Sequence, residues 1–449
     1  MQKKDVISRI EKSGIEFLRV LWCDNAGIIR SKAIHVSILP DNFDYPVGIS
    51  EAQQSVPVMY DGVSEGAGLG PVGEVYLKPD WNSFVFLPYN HIFAAVPSDM
   101  YKNGAPWPCC PRNFLKKAVS EASKKFEFEI NAAFENEFYL FNNTDFNNDK
   151  LVPVDDSLFA MASAMDACPQ VIDEITKSLR HQNMGVERYY PESGPGQQEI
   201  SIKYANALTA ADNQILFRQT ITGVAQKHNM TASFMPKIFE NTAGSGCHLH
   251  LSLFKNSKNI SGSNNNPTKL SDTMQYFMAG ILKHLPALCA VTVPSVNSYR
   301  RIQPHFWSGA YSCWGYDNRE AALRVITAPD GKSVSHIELK TSDAAANPYL
   351  ALGAVIYAGL DGINNKMRLN EPVAVDPGNL SEKELQDNGI KRLPLNLGAA
   401  LEELRNDDIL KNAFGKELFE AYTAVKNNEW NSMKDYTIEL ERKMLLKRF

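Results

Sequence analysis

The chain has 449 residues, 44% of them hydrophobic and 22% charged, with a formal net charge of -5 and seven cysteines. That balance belongs to a globular protein of one large or two smaller domains, and so weak a charge gives no footing for a nucleic-acid or anionic-membrane partner. An odd set of scattered cysteines without a CxxC pair suits free thiols in a reducing, cytoplasmic compartment better than a disulfide framework.

MQKKDVISRIEKSG predicts an amphipathic helix and not a signal peptide, because no apolar run follows the lysines. IEFLRVLWCDNAGIIRSKAIHV (15–36) predicts two strands around a turn at Asp24-Asn25-Ala26-Gly27. Residues 40–80, rich in Gly, Pro, Asp and Ser, predict a long surface loop, and loops of that length inside a domain are more often functional than idle. The strands SFVFLPY and IFAAVP follow, and the proline-rich KNGAPWPCCPRN places a boundary between an N-terminal domain, 1–104, and a larger domain, 105–449. Beyond it strands come in bunches with helices between them, and 142–149 and 261–266 are polar loop tips. The strands lack the continuous apolar runs of a buried parallel sheet, so the class is α+β with a largely antiparallel sheet. NPYLALGAVIYAGLDGI is apolar but too short and too interrupted to span a bilayer.

Four segments carry charges where strands should be apolar. Glu135 and Glu137 stand two apart among aromatics, Glu192 and Glu199 flank a Gly-Pro-Gly loop, Glu338 alternates with Ile337 and Leu339, and His248 and His250 share one strand face. Such groups are costly to bury unless paired or bound to a cation. Five glutamates with one or two histidines would favour Mg²⁺ or Mn²⁺ over Zn²⁺, and paired hard cations suit phosphoryl transfer. Each glutamate alone could equally lie on a solvated edge face, and spacing cannot bring four segments together. Arg300, Arg301, Arg319 and Arg324 add groups that bind carboxylate or phosphate in a bidentate fork.

The ordered set ENEFYLF, ESGPGQQEI, TASFMPKIFENTAGSGCHLHLSL, VNSYRR, NREAALR and HIELKTSDAAANPYLALGAVIYAGLDGI resembles the class I glutamine synthetases and their relatives, the γ-glutamylamide ligases. The resemblance, over about 15–425, implies a small N-terminal β-grasp domain and a catalytic domain with an incomplete, mainly antiparallel barrel. It implies one divalent ion on Glu137, Glu192 and Glu199 and another on Glu135, His248 and Glu338, two or three Mg²⁺ or Mn²⁺ in all. ATP would meet His250, Ser252 and Arg324, and L-glutamate would meet Gly244, Arg301 and Lys340. Arg319, Arg324 and Arg301 would be catalytic, ATP phosphorylating the γ-carboxylate before an amine attacks the acyl phosphate. It also implies a homo-oligomeric ring, two stacked hexamers, with active sites between subunits.

The departures concern the amine. The ammonium-binding aspartate of glutamine synthetases falls at or beside Val47, and the flap glutamate falls on Trp307 in QPHFWSGAYSCW. Carboxylates attract ammonium and take its proton, whereas Val47, Phe306 and Trp307, with Tyr311 and Trp314 nearby, favour an apolar, aniline-like amine. A cationic alkylamine or polyamine could still be held by cation–π contact. Ammonia is the alternative if Glu51 or Asp44 restores the acid. Lys340 stands where the family usually has an arginine, and 371–394 holds no tyrosine for adenylylation. An inactive ring-forming relative would be expected to have lost metal ligands, and none is lost here.

Overall fold

The computed structural model describes residues 3–142, 151–266 and 268–449. Helix α1 (Lys3–Ser13) precedes β1 (Phe17–Cys23) and β2 (Ile29–His35), joined by a tight turn. Asp24 builds that turn by accepting the amides of Ala26 and Ile28, and Gly27 closes it at φ +85°. Strands β3 (Val47–Ser50), β4 (Glu74–Pro79) and β5 (Phe93–Lys102) complete the sheet path β2-β1-β5-β4-β3, in which only β1 and β5 run parallel. The long surface loop expected over 40–80 is therefore shorter. The stretch contains β3, a 3₁₀ turn at Glu51–Gln54 and all of β4, because Val47, Ile49, Val75 and Leu77 alternate inward.

Helix α2 (Pro111–Phe126) opens the larger domain with proline in its first turn and ends at Glu127 in the left-handed region. Then come β6 (Glu129–Asn142), α3 (Pro169–His181), β7 (Val186–Pro191), β8 (Gln197–Ile202), α4 (Ala207–Lys227), β9 (Met230–Ser233) and β10 (Cys247–Lys255). Helix α5 (Asp272–Thr292), β11 (Tyr311–Tyr316), β12 (Ala321–Thr327), β13 (Val334–Leu339) and α6 (Pro348–Asn364) follow, before a helical C-terminus. The loop expected at 142–149 falls, beyond Asn142, outside the described residues. The sheet path is β7-β8-β6-β10-β13-β12-β11, antiparallel except for β11 with β12. Its end strands do not pair with each other among the described residues, which leaves the barrel incomplete.

The apolar helices α5 and α6 pack on each other in the core. Gly280 and Gly362 let them touch: a Cβ on Gly280 would stand 2.2 Å from the Ala358 carbonyl, and one on Gly362 2.0 Å from that of Tyr276. Arg112 on α2, only 2% exposed, ties the domains by pairing with Asp80 and Asp99 on one side and Asp212 of α4 on the other. All seven cysteines are buried and free. Among the described residues no helix is long and apolar enough to cross a membrane.

Candidate active site

Strand register assembles the charges. Glu199 lies opposite Glu137, Glu135 opposite His248, His250 opposite Glu338, and Glu338 opposite Arg324. Directly opposed residues share a sheet face, as do residues two apart, so one face of five adjacent strands, β8-β6-β10-β13-β12, is charged. The intervening residues Phe134, Phe138, Leu249, Ile337 and Leu339 point the other way and are buried in the core. Sequence alternation thus puts the apolar half of each strand into the core, where Phe138 meets Phe217 of α4, and leaves the polar half to make a site.

Glu137, Glu192 and Glu199 form one group, each offering an oxygen within 4.8 Å of the others. Gln197 donates to Glu137 at 3.2 Å, the Gly246 amide donates to it at 2.9 Å, and Tyr190 donates to Glu199 at 2.5 Å. Burial first, and then its acidic neighbours, push the Glu137 carboxyl up to about 7 and the Glu199 carboxyl up to about 10. Three carboxylates packed this closely repel one another without a cation between them.

The second group is Glu135, His250 and Glu338, with donor atoms inside the same 4.8 Å limit. His250 Nε2 is 2.8 Å from Glu135, while His248 Nδ1 lies 3.3 Å from Glu338 and 3.8 Å from Glu135. Burial would raise the Glu135 and Glu338 carboxyls. The facing imidazoles hold Glu135 well below its ordinary range, and Lys340, the histidines and Arg324 bring Glu338 down to about 2. His248 Nδ1 is buried without a hydrogen-bond partner, an expensive arrangement for a folded protein on its own, while Glu338 Oε2 has only the Arg324 guanidinium, 3.2 Å away. Carboxylate oxygens with an imidazole nitrogen lacking a hydrogen bond beside them are a donor set that hard divalent cations take. A cavity of about 380 Å³ adjoins this group, lined by Glu135, His250, Ser252, Arg324 and His336.

Across the acids, Arg301 is buried and donates to the carbonyls of Lys340 and Ser342, leaving Nε without a partner. Gly244 makes room for it, since a Cβ there would stand 2.7 Å from Arg301 Cγ. Lys340 Nζ sits 3.1 Å from Glu338. In the segment 303–309, where the resemblance expects a flap, Phe306 and Trp307 are exposed, Lys237 lies over the Phe306 ring at 4.5 Å and Arg319 over the Trp307 ring at 5.7 Å. Val47 lies in the core of the N-terminal sheet, 5% exposed. Of the acids that could have restored an ammonium site, Glu51 pairs with Lys102 at 2.6 Å and Asp44 accepts from Trp81.

Four participants were missed in the sequence: Gln197, Tyr190, His336 and Glu320. Gln197 and Tyr190 touch the acids, His336 sits 2.9 Å from His250, and buried Glu320 accepts the Trp307 amide at 3.0 Å. His336 alternates with Glu338, so strand periodicity could have found it; the others depend on loops and cross-strand register.

A family model described as glutamine synthetase, catalytic domain, matches residues 108–445, and the glutamine synthetase N-terminal domain model matches residues 1–107. A glutamine synthetase of Methanocaldococcus jannaschii is 34% identical over 98% of this chain and 97% of its own length. One of Methanosarcina mazei is 34% identical over 96% of this chain and 95% of its own. Among solved structures, a GmaS/ADP complex superposes with a TM-score of 0.85 at 28% identity, covering 98% of this chain and 99% of that one. A crystal structure of a novel glutamine synthase homolog does so with a TM-score of 0.85 at 29% identity, covering 97% and 99%.

Proposed function

The chain belongs to the glutamine synthetase family, ATP-dependent ligases that form C–N bonds, and from that premise we propose that it joins the γ-carboxylate of L-glutamate to an apolar or aromatic amine in place of ammonia. The observation that carries this reading is the flap: between Gln303 and Gly309 it offers no carboxylate, and Trp307 presents an indole. Ammonium must be stripped of a proton before it can attack, and an indole, which can attract a cation by its π face, cannot take that proton. An aryl amine is already neutral and gains from stacking. A likeness to GmaS, a γ-glutamylmethylamide synthetase, supports an acceptor other than ammonia.

In this reading Glu137, Glu192 and Glu199 hold one divalent ion and Glu135, His248 and Glu338 another, with His250 close enough to share the second. When bound, such ions neutralise phosphate charge. The chain's own groups do the rest. His250, Ser252 and Arg324 line the nucleotide cavity, Arg301 and Lys340 hold glutamate beside Gly244, and Arg319 with Arg324 meets the charge that develops on the phosphoryl group in transit. Attack of the γ-carboxylate oxygen on the terminal phosphorus releases ADP and leaves γ-glutamyl phosphate. The amine nitrogen then attacks its carbonyl, phosphate leaves, and the amine gives up a proton. The subunits form a ring, two stacked hexamers, in which the N-terminal domain of one copy completes the site of the next.

The test is ATP- and glutamate-dependent phosphate release with ammonium, methylamine, ethanolamine, putrescine and aniline in parallel. Faster turnover of an amine other than ammonium supports the proposal, and a preference for ammonium defeats it. Ammonia is the second reading, favoured by relatives at 32–34% identity that are named glutamine synthetases. Trp307→Glu is expected to improve ammonia and weaken aniline.

A further inference from the structure

The flap is held in an unusual way. His305, Trp307 and Gly309 all have positive φ, +65°, +51° and +69°, and a bulky side chain occupies that region only when its surroundings impose it. Four contacts do so. His305 pairs with Asp376 at 2.8 Å, Ser308 bonds to the backbone of Gln303, Thr341 donates to the Gly309 carbonyl at 2.7 Å, and the Trp307 amide donates to Glu320 at 3.0 Å. The last contact reaches Trp307 itself. Its neighbour in sequence, Arg319, lies over the indole. One dipeptide at the head of β12 therefore grips Trp307 twice, by the backbone through Glu320 and by the ring through Arg319.

Glu320 is 8% exposed, and the charged groups around it are Asp376, His305 and Lys340. An acid placed there only for solubility would face solvent. We propose that Glu320 is a positioning residue for the acceptor amine: its carboxylate latches the Trp307 amide, fixing the indole as a wall of the amine pocket. The inference rests on the reading of Trp307 as part of that pocket. What the position must supply is a hydrogen-bond acceptor of the right length, with charge secondary.

Three variants separate these demands. Glu320→Leu keeps the volume and removes the acceptor, Glu320→Gln keeps an acceptor and removes the charge, and Glu320→Ala is the second acceptor-free variant should Leu not fold. With aniline and with methylamine, loss of the latch should raise the amine KM about tenfold, the scale of one hydrogen bond, while the KM values for ATP and glutamate stay put. Glu320→Gln should return the amine KM towards the parent value. Limited chymotrypsin digestion read by mass spectrometry reports the flap without turnover: cleavage after Phe306 and Trp307 should accelerate in the acceptor-free variant, stay slow in Glu320→Gln, and be unchanged elsewhere. Unchanged flap cleavage in the acceptor-free variant, or Glu320→Gln cleaved as fast as it, overturns the latch. If the parent enzyme prefers ammonium, the acceptor reading fails, and the digestion still decides whether Glu320 holds the flap.

Discussion

Glu137 and Glu199 face each other across one strand pair with Glu192 closing the third side, and this crowding has a thermodynamic signature. A carboxyl whose folded pKa is raised binds its proton more tightly in the folded state. Stability from that proton is full below the unfolded value, 4.5, and is lost as pH rises through the folded one, about 7 for Glu137. Chelator-treated protein should therefore lose melting temperature between pH 4.5 and pH 7, and Glu137→Gln should flatten the decline. Excess Mn²⁺ should reverse it by binding the folded state alone, and Glu199→Gln should diminish that gain. Differential scanning calorimetry across pH, with and without metal, checks both. The charged residues were conspicuous in the sequence because they interrupt apolar strands. Their partners Gln197 and Tyr190 were not, since neutral polar side chains near a loop look the same whether they face an acid or water.

Among elements, the β1–β2 turn and helix α2 join the two domains. Asn347 donates to the carbonyls of Cys23 and Asp24 at the turn, and a Cβ on Gly27 would stand 2.2 Å from the Ala345 carbonyl. Gly27→Ala combines that clash with a left-handed backbone and should cost about 2–4 kcal/mol. Arg112→Met leaves Asp80, Asp99 and Asp212 without their common partner and should cost about 3–5 kcal/mol, as breaking a buried ion pair does. Urea unfolding midpoints test both. The hairpin was visible in its turn residues, and α5 and α6 in their length and apolarity. Strands β3 and β4 were hidden inside a Gly- and Pro-rich stretch whose composition outweighed two short alternating runs.

At the scale of the whole molecule, the family is generally oligomeric, and in the proposed ring a site completed by a neighbour's N-terminal domain would not survive dissociation. Specific activity is expected to fall together with mass as the enzyme is diluted or treated with mild urea, followed by light scattering and phosphate release on the same samples. Activity retained by a monomer would contradict a shared site. The sequence by itself determined the chemical inventory: which strands carry acids, which helices are apolar and where the hairpin turns. These follow from local periodicity and residue type, which act over a few residues. Only the tertiary structure decided that Glu135 faces His248, that His250 stands inside the second acid group, and that Glu320 holds Trp307. Those pairings join residues tens to hundreds of positions apart, and cross-strand register, set by burial of the opposite face, is what brings them together.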